Sequence, residues 1–189
     1  VFQNEADELT KIATAHNAND NAETLFFNLT RGASLKGACG IPPTRENIIR
    51  PLIYFSRSEI HGYCDENSLS YVVDSTNLED EYARNKIRPN VIPVLEEINS
   101  SAVSNITSFC ESAKSVYDFV SAEAQKALER AFISENTYDL VYLKNLHCAV
   151  LNEAIVKAYA LFSSNILDRV KLDNVINLLH FGGRCQLYG

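Results

Sequence analysis

Methionine and tryptophan are absent from this 189-residue sequence, glycine and proline are sparse at seven and five, and no long apolar run occurs. The last absence excludes the most. A membrane-spanning helix needs roughly 20 consecutive apolar residues, whereas stretches such as Ala158-Tyr159-Ala160-Leu161-Phe162 end within a few. No membrane helix is expected. The segment Val1-Phe2-Gln3-Asn4-Glu5 has neither the basic stretch nor the apolar core of a secretory signal, so export is not expected either. The lack of methionine, with valine as first residue, leads us to expect a piece of a longer gene product. Cys39, Cys64, Cys110, Cys148 and Cys185 are odd in number, widely spaced and without a C-x-x-C pair, which fits a reducing cytosol better than a disulfide framework or a zinc knuckle.

Positive charge is also scarce, with 17 Lys and Arg against 24 Asp and Glu and a formal net charge of -7. Binding nucleic acid through overall charge is therefore excluded, because neutralising phosphates requires cations near the backbone. Locally the balance reverses: Arg31, Lys36, Arg45, Arg50 and Arg57 face only Glu46 and Glu59 between residues 30 and 60. A local basic surface stays open beside the plainer reading of a solvated loop region.

What is present, 46% hydrophobic and 22% charged residues, is the composition of a globular protein able to bury a core in one large domain or two small ones. Lys11-Ile12-Ala13-Thr14-Ala15-His16 reads as a short strand, Asn17-Ala18-Asn19 as a turn, and the periodic stretch after it as a helix. An apolar strand feeding a helix is half of a parallel-sheet unit. Over residues 19 to 31, helical spacing puts Ala22, Leu25, Phe26 and Leu29 on one side and Asp20, Glu23, Thr24, Phe27 and Arg31 on an opposite, exposed stripe. Gly32 is expected to end this helix in the left-handed conformation.

Loop formers then dominate, with Gly37, Gly40, Pro42 and Pro43, before an extended Ile48-Ile49-Arg50 ahead of Pro51. Ser56 or Ser58 is expected to cap a helix running to about Glu66. Ser70-Tyr71-Val72-Val73-Asp74 reads as a short strand followed by a turn at Ser75, Thr76 and Asn77. Arg84 and Arg88 share a face of a helix that Pro89 and Pro93 shorten or kink.

From residue 102 the pattern changes to an a/d seam, Val103, Ile106, Cys110, Ala113, Tyr117, Val120, Ala124, Ala127 and Ala131, on one long helix. Leu140, Leu143, Leu146, Leu151, Ile155, Tyr159 and Phe162 mark further helix, and Leu172, Val175, Ile176 and Leu179 another. The expectation is an α/β region with a parallel sheet over 1–100 and an all-helical region over 101–189, mostly helix in total. The seam suits packing within a bundle; a homodimer through it stays open as the alternative.

The strongest chemical signal is His16-Asn17-Ala18-Asn19-Asp20-Asn21-Ala22-Glu23-Thr24, where strand gives way to helix. Ligands of open α/β sheets bind beyond the carboxyl ends of the strands, which puts His16 and the first helical turn in the crevice. Asp20 and Glu23 together suit an ammonium group; they equally suit the positive end of a helix dipole, a purely structural job. Arg84 and Arg88 suit phosphate, or else pair with Glu79, Asp80 and Glu81. His61 and Cys64 share a helical face, but no second pair accompanies them and no metal site is expected. His147, Cys148 and His180 read as incidental.

This stretch resembles the HxxxDxxET box of the PP-loop tRNA-modifying enzymes. Arg31-Gly32, Ile49-Arg50-Pro51-Leu52, Asp74-Ser75-Thr76-Asn77 and Arg84-Asn85-Lys86-Ile87-Arg88 follow in the order found in the tRNA(Ile)-lysidine synthetase family. The matches cover residues 11 to about 98, and the helical remainder, with Gly183-Arg184-Cys185-Gln186-Leu187, resembles that family more loosely. Two features depart from it: Asn19 stands where the family usually has another acid, and the SGGxDS loop that cradles ATP phosphates, with its Asp, is not in this sequence.

The resemblance implies an incomplete PP-loop sheet of the adenine nucleotide alpha hydrolase type followed by a tRNA-positioning helical region. It implies a cytoplasmic ligase that uses ATP with Mg²⁺ to adenylate the C2 oxygen of the cytidine at the first anticodon position of tRNA(Ile), after which free lysine displaces AMP. It further implies lysine binding by Asp20 and Glu23, a place for His16 beside the nucleotide, and a catalytic Arg31 that offsets charge on the phosphate. Arg50, Asn77, Arg84, Asn85 and Arg88 would contact tRNA or other phosphate. Two further readings remain: a thiolation-type PP-loop enzyme, which typically carries paired cysteines, and a non-catalytic helical binding module.

Overall fold

A computed structural model describes residues 11–71, 81–134, 137–163, 165 and 167–181. The chain forms two compact units, residues 1–115 and 116–189. Among the described residues no helix is long and apolar enough to cross a membrane.

The first unit is built on a small mixed sheet. Strand β1 (Ile12–Ala13) pairs in parallel with β3 (Ile48–Ile49), with Ile12 opposite Ile48. Strand β2 (Thr44–Arg45) pairs antiparallel on the other side of β3. The parallel pairing expected of an apolar strand feeding a helix is present; β2, lying in a stretch read as loop, was not legible. Backbone bonds from Ile12 to Asn47 (2.8 Å) and from Thr14 to Ile49 (2.9 Å) continue the β1–β3 ladder.

Helix α1 (Ala18–Thr30) starts at Asn17 in a capping box with Asp20 and stops at Gly32, whose φ of 76° lies in the left-handed region that glycine adopts without strain. Its buried Ala18 and Ala22 pack with Ile87, Ile92 and Val103, contributed by α4 (Glu81–Asn90), α5 (Ile92–Ile98) and α6 (Ala102–Ala131). Leu25 packs instead with Ala38, Cys110 and Ala113. Pro89 lies inside α4 and Pro93 follows the start of α5, so the proline-bearing stretch forms two short helices. Helix α2 (Leu35–Ala38) precedes β2, and α3 (Arg57–Glu66) follows β3. The cap of α3 is Ser56, which accepts from Glu59 N–H while Glu59 accepts from Ser56 N–H at 2.7 Å. Of the expected strand Ser70–Asp74, residues 72–74 lie outside the described residues.

Two asparagines on α1 fasten the loop that leads into the sheet. Asn28 Nδ2 donates to the Gly37 carbonyl at 2.9 Å, and the buried Asn21 Oδ1 accepts from Ile41 N–H at 2.7 Å. Gly40 has φ of 65°, and a Cβ added there would run into Asn21 Oδ1 and lie 3.1 Å from Cys110 Sγ. Both strain and space therefore require glycine at this position.

The second unit contains the C-terminal part of α6, α7 (Leu140–Lys144), α8 (Cys148–Ala160) and α9 (Arg169–Phe181). The a/d seam of α6 is buried within its own chain at Val103, Cys110, Ala113, Ala124, Ala127 and Ala131. In this unit Ala124 and Leu128 pack on Ala154, and Ala131 packs with Leu143 and Leu151. The all-helical expectation needs one correction: β4 (Phe132–Ser134) and β5 (Thr137–Tyr138) form an antiparallel pair between α6 and α7. Phe132 meets Tyr138 edge-on at 6.1 Å, and Asp139 N–H bonds the Ala131 carbonyl at 2.7 Å, so aromatic contact and backbone pairing replace helix there.

Candidate functional site

The chain leaves β1 through Thr14, Ala15 and His16 and turns into α1 at Asn17. His16 is half-buried, its Nδ1 2.9 Å from Thr14 Oγ1. Asn17 Oδ1 accepts from Asp20 N–H at 3.1 Å, and Asp20 Oδ2 accepts from Asn17 N–H at 2.9 Å. One oxygen of Asp20 thus does the structural work that acids in a first helical turn commonly do.

The first turn of α3 docks on this turn of α1. Ala18 N–H donates to the Phe55 carbonyl at 2.9 Å, and Asn19 Oδ1 accepts from Arg57 N–H at 2.8 Å. Asn19, where the resembling family usually has an acid, therefore satisfies one of the open backbone donors at the start of α3. The Arg57 side chain then turns toward Asp20, with Nη2 3.5 Å from Oδ1, and Arg88 Nη2 approaches the same oxygen at 3.6 Å.

Glu23 lies one turn further along and is 2% exposed. Arg88 meets it in two-point fashion, Nε to Oε1 at 2.8 Å and Nη2 to Oε2 at 3.0 Å. A buried carboxylate tolerates the loss of its hydration only when its oxygens are bonded, and this fork geometry satisfies both. Because α4 and α5 pack against α1, the face read as an exposed stripe is covered. Glu23 is buried and Thr24 and Phe27 are half-buried, whereas Leu29, expected on the buried side, is 51% exposed.

Arg31 does not join these side chains. It is the exposed C-cap residue of α1, its guanidinium over the Phe27 ring at 5.1 Å, and eleven residues of helix put it roughly 16 Å along the axis from Asp20. Among the described residues, the cations that gather at the acids are Arg57 and Arg88. Arg50, directly after β3, is held against the loop before β2, its Nη1 bonding the Pro42 carbonyl and its N–H the Pro43 carbonyl, both at 2.8 Å. Asn77 lies outside the described residues, and of Arg84 and Asn85 the backbone is described as part of α4 but the side chains are not.

Sequence reasoning missed Arg57. The Ser56-x-x-Glu59 box places Arg57 in the first turn of a helix, but nothing local signals that this end meets α1. The Tyr54 and Cys110 side chains are shifted from their ordinary pKa values. Burial, the charge of Glu111 and a hydrogen bond to it raise the Tyr54 hydroxyl pKa. Burial, with Cys39 nearby, pushes the Cys110 thiol up to about 11, so it stays protonated at neutral pH. His61 stacks on Tyr71 at 4.8 Å.

A PP-loop domain family matches residues 1–95. The tRNA(Ile)-lysidine synthase of Clostridium perfringens strain ATCC 13124 is 41% identical over 185 residues, covering 95% of this chain and 39% of the relative. That of Clostridioides difficile strain 630 is 35% identical over 178 residues, covering 89% and 38%. That of Thermosipho africanus is 44% identical over 110 residues, covering 58% and 26%. The chain spans about two fifths of the length of the first two.

Proposed function

This chain belongs to the PP-loop family, and from that premise we propose that it is part of a cytoplasmic ligase that converts an anticodon cytidine of tRNA(Ile) to lysidine. In the reaction the cytidine C2 oxygen takes AMP from ATP as pyrophosphate leaves, and the side-chain amine of lysine, having lost a proton, then attacks C2. The new C–N bond forms as the C2–O bond to AMP breaks. A cationic nucleophile has to be held by acids before it is deprotonated. Asp20 Oδ1, which keeps only long contacts, is the oxygen suited to meet the amine, while Glu23 sets the second acid beneath it and holds Arg88.

His16, at the end of β1, takes the place beside the nucleotide. Arg31 offsets charge on the phosphate undergoing transfer, which from its present position requires the nucleotide or tRNA to reach the far end of α1. Arg50, Asn77, Arg84 and Asn85 contact tRNA or other phosphate, and Arg88 does so while keeping its pair with Glu23. Among the described residues no group of three His, Cys, Asp or Glu side chains is arranged to hold a metal. Mg²⁺ enters as the ion of the ATP co-substrate, carried on its phosphates. Residues 1–100 supply the PP-loop part and residues 101–189 a helical surface that positions tRNA.

One observation carries the reading: the acid-bearing first turn of α1 lies directly beyond the carboxyl end of a strand in a parallel pair, the usual ligand position in such sheets. The test is steady-state kinetics on the full-length protein. Asp20→Asn should raise the lysine KM by at least about tenfold, the loss of one ionic contact, and leave the ATP KM within about twofold. Equal losses for both substrates would refute the assignment.

A further inference from the structure

The carboxylate oxygens of the site are not equivalent. Both oxygens of Glu23 are bonded by Arg88 at 2.8 and 3.0 Å, and Asp20 Oδ2 closes the capping box at 2.9 Å. Asp20 Oδ1 has its guanidinium neighbours at 3.5 and 3.6 Å, well beyond the roughly 2.7–2.9 Å of a charge-assisted hydrogen bond. Among the described side chains, Asp20 and Glu23 are matched in formal charge one for one by Arg57 and Arg88. A site balanced in this way exerts little net pull on an incoming ammonium.

The arginines differ in what releasing Asp20 would require. Arg88 cannot withdraw without stranding the buried Glu23 carboxylate, which strongly disfavours the move. Arg57 is anchored through its backbone by Asn19, while its side chain is 35% exposed and meets Asp20 through a single long contact. Its guanidinium can therefore swing away while the end of α3 stays docked. A phosphate is the acceptor that would draw it, since guanidinium binds phosphate oxygens in two-point fashion.

We infer that Arg57 is a positioning residue that couples the two substrates: in the resting chain it shields Asp20 Oδ1, and a bound phosphate draws it off so that the lysine ammonium can take its place. The inference rests on the reading above, which supplies one cationic and one polyanionic substrate. Lysine and nucleotide then bind cooperatively, and by linkage each tightens the other by the same factor.

The test is calorimetric titration of lysine into the full-length protein, with and without the non-hydrolysable α,β-methylene analogue of ATP and Mg²⁺. In the unsubstituted protein the analogue should tighten lysine binding by roughly fivefold or more, the lower end of ordinary coupling between sites. Arg57→Gln should bind lysine more tightly than the unsubstituted protein when nucleotide is absent and should lose most of the nucleotide effect. Arg57→Lys, which keeps the charge, should retain part of it. A merely structural arginine would show the opposite, with weaker lysine binding in Arg57→Gln under both conditions, and that result overturns the inference. So does measurable lysine binding to the unsubstituted protein that is indifferent to the analogue, a criterion that holds even if Arg57→Gln does not fold. No lysine binding under either condition would instead overturn the proposed function itself.

Discussion

The first turn of α1 and the C-terminal part of α6 are both helical and both packed against other elements of their own unit, yet different forces hold them. Around α1 the fastening is polar and long-range: Asn19 to Arg57 N–H, Asn21 to Ile41 N–H, Asn28 to the Gly37 carbonyl, and Glu23 to Arg88. In the second unit α6 and α8 meet through Ala124, Leu128 and Ala154, and the described side-chain hydrogen bonds are mostly local, with Tyr117 to Glu153 at 2.8 Å bridging the two helices. Hydrogen bonds and ion pairs specify direction and distance; apolar packing specifies mainly volume. The proposed lysine site, where one carboxylate oxygen would meet an amine, draws on the first kind of constraint, and a scaffold is adequately served by the second.

The comparison can be broken most decisively at Arg88. Arg88→Ala leaves the buried Glu23 carboxylate without its cation and should destabilise the protein by about 3 kcal/mol, the low end for a broken buried pair because Arg88 itself is 44% exposed. Urea unfolding measures it. The double variant Glu23→Gln with Arg88→Gln should recover much of that loss, and no recovery would mean that packing, not charge, is what Arg88 supplies.

The next effects separate direction from volume. Leu151→Ala opens a cavity beside Ala131 and Leu143 and should cost about 2–4 kcal/mol, while Leu151→Met, which conserves volume, should cost less than about 1.5 kcal/mol. Asn21→Ala removes the acceptor of Ile41 N–H and should cost about 1–3 kcal/mol, and Asn21→Leu, similar in volume, should do no better. If Asn21→Leu were tolerated as well as Leu151→Met, the contrast between the two units would fail.

The smallest effect is a titration. Hydrogen bonds from the Ser56 hydroxyl and N–H hold the Glu59 carboxyl below the usual carboxylate range. A depressed folded-state pKa means that the cap contributes above the unfolded value and fades as pH falls through the folded value. Acidification from neutral pH should therefore fray the start of α3 only once the pH is below the ordinary glutamate range, read from the Ser56 and Glu59 amide NMR shifts. Glu59→Gln should remove that dependence; fraying that persists in the variant would assign it to another group.

Much of the local structure was legible because its causes are local. The turn at Asn17-Ala18-Asn19 reads as the entry to α1; Gly32 reads as its stop; Ser56 is one of the two serines read as the cap of α3; the a/d seam reads as α6. The candidate site was legible only by half. His16, Asp20, Glu23 and Arg88 were singled out in sequence, but the pairing of Arg88 with Glu23 and the part of Arg57 beside Asp20 were not. Arg57 reaches Asn19 and Asp20 across 38 and 37 residues, and Arg88 reaches Glu23 across 65. Nor does helical spacing reveal that α4 and α5 cover the face bearing Glu23, since a helix enclosed on several sides has no single apolar stripe.

By itself the sequence determined where α1, α3 and α6 lie, that the strand feeding α1 is of the parallel-sheet kind, and the order of residues that resembles one enzyme family. Caps, turns and periodicity act within a few residues, so the chain carries them wherever it goes. Which carboxylate is closed and which is held loosely was decided only by the tertiary structure. That outcome depends on bringing three helix segments, the starts of α1 and α3 and the end of α4, within hydrogen-bond range of one another. Electrostatic energy varies with separation in space, and separation along the chain does not predict it.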